Sequence, residues 1–150
     1  MKARRRTRSA LEISKIMTAI RSKDTRPELI FWAIARRLGI QLSRSSELPF
    51  RPDFLLPGCR LAIFVHGCFW HQHPGCRFSK KPVSNLSYWT PKLARIQARD
   101  RRQRRQLSAR GWASLIVWEC EFADPQKVYD RLVSSVDRRW ALLRRSNYSH

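Results

Sequence analysis

Residues 51–66 read RPDFLLPGCRLAIFVH, and this stretch decides the fold of the chain. Two short apolar runs, FLL and LAIFV, stand on either side of Pro57, Gly58 and Cys59. Apolar runs of this length separated by a Pro-Gly pair are typical of two antiparallel strands joined by a turn. The stretch therefore predicts a β-hairpin with its turn at Pro57 and Gly58.

A helix is predicted on the N-terminal side of the hairpin. Thr25 precedes the segment RPELIFWAIARRLG, which has Pro27 in its first turn and Glu28 at its third helical position. These are the signals of a helix start with a capping box, in which the side chains of Thr25 and Glu28 bond each other's backbone amides. Gly39 is the predicted end.

A second helix, a third strand and a third helix are predicted on the C-terminal side. The basic segment 88–110 places Leu93, Asp100 and Leu107 on one helical face. Gly111 ends it, WASLIVW at residues 112–118 is an apolar strand, and an amphipathic helix starts near Pro125. Helices that alternate with a hairpin and a single strand predict an α/β fold with a mixed sheet and helices on its faces.

The charge of the chain restricts its partners. Its 31 Lys and Arg residues outnumber 11 Asp and Glu residues, which gives a formal net charge of +20. A polyanion is the expected partner of such a surface, and nucleic acid fits it best. We expect residues 23–150 to form a single domain and residues 1–22 to be a basic, flexible segment that contacts DNA.

The expected compartment is a bacterial-type cytoplasm. No apolar run approaches the roughly 18 residues of a membrane span, and the basic start MKARRRTRSALEISK is not followed by the apolar stretch of a secretory signal. In a reducing compartment the cysteines would be thiols or thiolates. They are Cys59, Cys68, Cys76 and Cys120.

A zinc site is predicted in residues 65–76, VHGCFWHQHPGC. Cys68, His73 and Cys76 have the spacing C-x4-H-x2-C, and Cys120, just past the third strand, can supply a fourth ligand. Three thiolates and one imidazole make a closed, structural type of site. The alternative is that Cys120 is an ordinary buried cysteine and the histidines are surface residues. Cys59 lies in the hairpin turn and is not expected to bind metal.

Asp53 is a candidate catalytic residue. It stands at the start of the first strand, and the second strand brings Phe64 and His66 to the same neighbourhood. This arrangement resembles the PD-(D/E)xK nucleases, in which acids on neighbouring strands hold magnesium. The second acid and the lysine of that pattern are replaced here by Phe64 and His66. A turn-forming aspartate is the alternative interpretation.

Several motifs taken together resemble the very short patch repair (Vsr) endonucleases. The motifs are RPDF, FVHGCFWHQHPGC, YWTPK, RDRR and GWASLIVWEC, and they occur in this order. The resemblance extends from IMTAIRSKDTRPE, which begins at residue 16, to VWECEF, which ends at residue 122. The resemblance implies a three-layer α/β/α restriction-endonuclease-like fold with a structural zinc. It also implies magnesium-dependent hydrolysis of the phosphodiester 5′ to the thymine of a T:G mismatch, at sites of deaminated 5-methylcytosine.

The resemblance also assigns residues to the chemistry. Asp53 and the backbone carbonyl of Val65 are expected to bind magnesium, and Glu28 to reach it through water. His71 resembles the general base of the family, with His66 close to the scissile phosphate. The capping role of Glu28 is compatible with this assignment.

Asp100 matches the aspartate of the family's RD motif. Its place on the apolar face of an arginine-rich helix indicates that it turns inward to a histidine or an arginine. A plain salt bridge is the alternative. Ile96 stands where the family usually has asparagine, Val65 where it often has threonine, and Phe50 where it usually has glycine. The loss of asparagine removes a polar group from the expected active site.

The aromatic residues of the zinc loop predict insertion into DNA. The family pattern makes Phe69, Trp70 and Trp89 wedges that enter a base step, and unstacking is easier at a mismatch. Met17 resembles a wedge from the opposite groove, and Lys92 of the YWTPK motif is an expected DNA contact. Core packing is the alternative for Trp89, and disorder is the alternative for Met17.

The partners expected from the resemblance are double-stranded DNA with a T:G mismatch and mismatch-repair proteins of the MutL or MutS type. A monomer associated with the bacterial nucleoid is expected, without a membrane partner. Two other functions stay open from the sequence. One is a related magnesium-dependent nuclease with a different DNA target, and the other is a zinc-stabilised nucleic-acid-binding module without catalysis.

Overall fold

The computed structural model of the chain describes residues 23–44, 48 and 50–147. The predicted N-terminal DNA-contacting segment 1–22, with Met17, lies outside the described residues. No helix in the described ranges is long and apolar enough to cross a membrane.

The described part has three α-helices and three β-strands in the order that the sequence predicts. They are α1 (Arg26–Arg37), β1 (Phe54–Leu56), β2 (Leu61–His66), α2 (Leu86–Ala109), β3 (Ala113–Trp118) and α3 (Pro125–Asn147). Single 3₁₀ turns lie at Pro57–Cys59, Arg77–Ser79 and Glu119–Ala123.

The hairpin and the mixed sheet are confirmed. β1 pairs with β2 in antiparallel fashion, and β3 pairs with the other side of β2 in parallel, so β2 is the central strand. Pro57–Cys59 form a 3₁₀ turn between β1 and β2. Arg60 then takes the left-handed conformation, with a φ of 50°, and leads the chain into β2.

The start of α1 differs from the predicted capping box. The Thr25 side chain caps no backbone amide; its hydroxyl donates to Glu28 Oε1 at 2.8 Å. Glu28 Oε2 accepts from the backbone N–H of Asp24, not of Thr25, at 3.1 Å. Because Glu28 is only 4% exposed, its carboxylate is held towards the interior and does not close the reciprocal box with Thr25.

The boundaries of α2 are close to those predicted. The helix begins at Leu86, two residues before the expected start, after Asn85 in the left-handed conformation. It ends at Ala109, and Gly111 has a φ of 76°. A glycine is favoured at this positive φ because it has no Cβ, which is the physical basis of the predicted stop.

One face of the sheet packs against α1 and α3. Phe31 of α1 and Val128 and Leu132 of α3 are fully buried in one cluster with Leu115 and Val117 of β3. Complete burial of an aliphatic side chain of this size stabilises the folded state by about 1.5–3 kcal/mol. Cys59 is 3% exposed and belongs to the same cluster of apolar side chains.

The opposite face of the sheet packs against α2. Leu107 of α2 is fully buried in a cluster with Ala62 and Phe64 of β2. Phe50 belongs to this cluster and is 6% exposed, with the guanidinium of Arg110 4.9 Å from its ring centre. Phe50, which stands at a family glycine position, is therefore a core residue of this chain.

Candidate active site and metal centre

Asp53 directly precedes β1 and is held by hydrogen bonds to β2. Its backbone N–H donates to the carbonyl of Ile63 at 2.9 Å. Its side-chain Oδ2 accepts a hydrogen bond from the backbone N–H of Val65 at 2.7 Å. Antiparallel pairing of β1 with β2 thus places the carboxylate of Asp53 beside Val65, the two residues that the resemblance assigns to magnesium.

The electrostatic surroundings of Asp53 oppose its negative charge. Burial is the largest cause and raises the pKa of the Asp53 carboxyl to about 6, although the hydrogen bond from Val65 lowers it. The negative charge of Glu28 raises the pKa further, and His71 and Arg44 lower it. Asp53, Glu28 and His71 are therefore close enough to interact. A nearby cation would relieve the repulsion between the two carboxylates.

Arg44 is a neighbour of this acidic pair that the sequence analysis did not identify. Its guanidinium forms a short ion pair with Asp24, lies 3.9 Å from Glu28 Oε2 and is 4.9 Å from the ring centre of Phe54. No local motif marks Arg44, because its partners are set by the approach of the segment before β1 to α1.

His71 and Asp100 form the shortest polar contact between the loop after β2 and α2 within the described chain. Nδ1 of His71 lies 2.6 Å from Oδ2 of Asp100. Asp100 is 8% exposed; burial opposes its ionisation, but the hydrogen bond and charge of His71 outweigh burial and lower the pKa of Asp100. The predicted inward turn of Asp100 towards a histidine is present. Arg99 adds a weaker contact to Asp100 at 3.4 Å.

His66 lies directly against His71. The two imidazole rings stack with centres 3.7 Å apart and an angle of 9° between their planes. Burial, followed by the charge of His71, lowers the pKa of His66 to about 3, so His66 is neutral at working pH. Its Nδ1 is buried without a hydrogen-bond partner among the described residues.

The predicted metal ligands come together in space. Cys68, His73, Cys76 and Cys120 each offer a ligand atom, and these four atoms lie within 4.8 Å of one another. Nδ1 of His73 is 3.7 Å from Sγ of Cys68 and 3.4 Å from Sγ of Cys120. Cys120 is thus the residue that completes the cluster from outside the loop.

Trp118, another residue that the sequence analysis did not select, joins the two groups. Its ring stacks on His73 with centres 4.1 Å apart and an 8° angle between the planes. It also meets His66 edge-on at 5.4 Å. Because Trp118 precedes Cys120 by two residues in the VWEC motif, the same strand end supports the candidate metal site and the neighbouring histidine.

Phe69, Trp70 and Trp89 form one aromatic cluster. Phe69 is 4.8 Å from Trp70 and 5.4 Å from Trp89 between ring centres, both edge-on. All three side chains are partly exposed. A Cβ at Gly67 would lie 3.3 Å from the Trp70 ring, so a glycine there allows the ring to pack closely on the loop.

Lys92 and Ile96 follow this cluster along α2. The ammonium of Lys92 is 5.6 Å from the ring centre of Tyr88, and both Lys92 and Ile96 are half-buried. Lys92 lies one helical turn after Tyr88, on the part of α2 that carries Trp89. Ile96 precedes Asp100 by one turn of the same helix.

Comparisons of the sequence with known proteins identify its family. The family model of the DNA mismatch endonuclease Vsr matches residues 7–77. The chain is 42% identical over 123 residues to the type II nicking enzyme V.XorIIP of Xanthomonas oryzae pv. oryzae, an alignment covering 81% of this chain and 90% of the relative. It is 36% identical over 128 residues to the DNA mismatch endonuclease Vsr of Escherichia coli, covering 85% and 81% of the two chains.

A third relative, the type II nicking enzyme V.NmeAIP of Neisseria meningitidis, is 30% identical over 120 residues, which cover 79% of this chain and 85% of the relative. Together with the site, these matches define a DNA-nicking endonuclease, a hydrolase of phosphodiester bonds. The chain belongs to the Vsr family of DNA mismatch endonucleases.

Proposed function

We propose that the protein nicks double-stranded DNA at the phosphodiester 5′ to the thymine of a T:G mismatch, such as deamination of 5-methylcytosine produces. Membership of the Vsr family supports a mismatch substrate. The packing of α1 and α3 on one face of the sheet and of α2 on the other supports the three-layer restriction-endonuclease-like arrangement.

The contact between His71 and Asp100 carries the catalytic part of this proposal. Because Oδ2 of Asp100 is a carboxylate acceptor at 2.6 Å, the neutral His71 ring keeps its proton on Nδ1 and has its lone pair on Nε2. Nε2 is then the atom that takes a proton from an attacking water. Asp100 orients the ring and stabilises the imidazolium that forms, as the acid partner of a general base does.

His66 has a supporting role in this scheme. Its neutral ring, stacked on His71, adds no positive charge beside the base and limits the orientations that the His71 ring can adopt. The buried Nδ1 of His66 has no partner among the described residues, so it can bond a substrate oxygen or a water when DNA is present.

Magnesium is the proposed catalytic cofactor, held by the Asp53 carboxylate and the Val65 carbonyl, with Glu28 acting through water. The raised pKa of Asp53, about 6, supports this assignment because two neighbouring buried carboxylates favour a bound cation. Magnesium supplies stabilisation of the negative charge on the reacting phosphate. The carbonyl contact of Val65 is independent of the threonine side chain common in the family.

Zinc is the proposed structural metal of the Cys68, His73, Cys76 and Cys120 cluster. Tetrahedral zinc with its usual bond lengths separates sulfur from nitrogen ligands by about 3.6 Å. The two measured separations of 3.7 Å and 3.4 Å fit this value. All four positions are filled by side chains, so the site would brace the loop without an open position for substrate.

The aromatic cluster is the proposed mismatch reader. Phe69, Trp70 and Trp89 are mutually packed and partly exposed, so they can enter a base step as a preformed wedge. Lys92 would contact the DNA nearby, and Met17 would act from the opposite groove. We also propose that the protein acts as a monomer on nucleoid DNA in the cytoplasm, with MutL- or MutS-type proteins as further partners.

A related nuclease with another DNA target is the second candidate, because two of the relatives described above are named as nicking enzymes. A nucleic-acid-binding module without catalysis gives no reason for Asp53, Glu28 and His71 to lie close enough to interact.

The test uses purified protein, magnesium and duplexes labelled on either strand. The duplexes are matched or T:G mismatched, and the labelled single strands are tested separately. A single nick 5′ to the thymine, confined to the thymine strand of the mismatched duplex, is expected. Equal cutting of the matched duplex would overturn the mismatch proposal, and absence of cutting with every metal tried would favour the binding module.

A further inference from the structure

An open groove of about 590 Å³ lies at the outer edge of β3, between α2 and α3. β3 is an edge strand of the described sheet, since β2 pairs with only one of its sides. The proposed catalytic steps do not use this groove. Its lining residues are Arg104, Ser114, Leu115, Ile116, Trp118, Lys127, Asp130, Arg131, Ser134, Ser135 and Arg138.

The polar lining comes mostly from a regular stripe on α3. Lys127, Arg131, Ser134 and Arg138 are spaced by four, three and four residues, which places them along one side of a helix. Arg104 faces them from α2. The groove is therefore bordered by cationic side chains from two helices.

Among the described residues, three of these four cations form no ion pair through their side chains. Arg131 is bound by Glu121 at 2.5 Å and donates to the carbonyl of Ile116 at 3.0 Å. Arg104, Lys127 and Arg138 are exposed, and within the described ranges their side chains form no ion pair. Three positive charges thus face a groove whose lining contains a single carboxylate, Asp130.

The edge of β3 does not favour a peptide strand as the occupant. A peptide that extends the sheet needs the outward backbone groups of the edge strand. The carbonyl of Ile116 is already bonded by Arg131, and the N–H of Trp118 donates to Oε2 of Glu121 at 2.8 Å. Free cations beside the hydroxyls of Ser114 and Ser134 instead match the donors that usually contact DNA phosphates.

The groove and the candidate active site share Trp118 as a neighbour. Arg104 follows Asp100 by one turn of α2. Trp118 lines the groove and also packs on His66. A duplex whose phosphate lies at His71 would thus find further donors along α3.

We infer that this groove binds phosphodiester groups of the substrate duplex outside the nicked position, with Lys127 and Arg138 as sequence-independent contacts. The inference rests on the proposed DNA-nicking function but not on its preference for T:G. Each phosphate contact contributes about 0.9 to the slope of log affinity against log salt. Removal of both contacts should make the slope less steep by about 1.8. If the variant and the wild-type protein bind equally at 1 M salt, this difference weakens binding of the variant by about 60-fold at 0.1 M salt.

The test compares the double variant Lys127→Ala/Arg138→Ala with the wild-type protein on matched and T:G duplexes without magnesium, over a series of salt concentrations. The control is Arg36→Ala/Arg37→Ala, which removes the same charge from exposed positions in the last turn of α1. The groove variant should lose the same factor on both duplexes, and the control should keep the wild-type slope.

Phosphate ethylation interference locates the DNA phosphates that the groove contacts. At one or two phosphates away from the nick, ethylation should weaken binding of the wild-type protein but not of the groove variant. A slope change below about 0.9, an equal change in the control, or a loss confined to the T:G duplex would each overturn the inference. If the wild-type protein shows no T:G preference, the mismatch proposal fails. The comparison of salt slopes still tests whether the groove binds DNA phosphates.

Discussion

Replacement of Asp53 by asparagine should stabilise the protein when no magnesium is added. The carboxyl of Asp53 has a pKa of about 6 in the folded chain, chiefly because it is buried. Asparagine has nearly the same shape, and its side-chain oxygen can still accept the hydrogen bond from Val65 N–H. The variant therefore removes a buried charge and keeps the contact.

The sign and size of this effect depend on pH. An unfolded aspartate has a pKa near 3.9, so the folded state is penalised when the group is ionised. The penalty is nearly absent below about pH 4, grows between pH 4 and 6, and is complete above pH 6. The difference of about two units between the folded and unfolded pKa values corresponds to a penalty of about 3 kcal/mol at pH 8. The penalty falls to about 1 kcal/mol at pH 4.5. Partial exposure of Asp53 makes these values upper limits.

Urea unfolding at pH 4.5 and pH 8 measures the difference. Asp53→Asn should raise the free energy of unfolding more at pH 8 than at pH 4.5, and added magnesium should stabilise the wild-type protein but not the variant. The exposed Asp137 provides the control, since Asp137→Asn should change neither quantity. Equal effects of Asp53→Asn at both pH values, or a loss of stability at pH 8, would refute the reasoning.

Further substitutions separate the other roles. His71→Ala should lower single-turnover nicking by about 10²–10⁴-fold with metal content retained, whereas His73→Ala should lose zinc and stability; metal analysis showing the reverse would exchange the two assignments. Trp70→Ala should reduce the preference for T:G over matched duplex in binding assays, and an equal loss on both would make Trp70 a structural residue. Leu132→Ala should lower the free energy of unfolding by about 2–5 kcal/mol in urea titrations, and a smaller cost would mean that the core closes around the lost side chain.

Local patterns of the sequence determined the order of the elements. The hairpin at residues 51–66 and the helix stop at Gly111 follow from strand periodicity, turn residues and a positive φ. Three of the four residues of the candidate metal site are also local, because Cys68, His73 and Cys76 lie in one short loop. Backbone geometry over a few residues sets these features, so the sequence alone was enough to predict them.

The tertiary structure decided the contacts that depend on how the α-helices pack against the sheet. The carboxylate of Glu28 faces the interior instead of closing a capping box, because α1 packs where Arg44 and Asp53 approach it. The link of Trp118 to both His66 and His73, and the groove along α3, join segments far apart in the chain. Such contacts depend on the distances and angles between packed elements, which side-chain volumes throughout the core determine together and no short motif encodes.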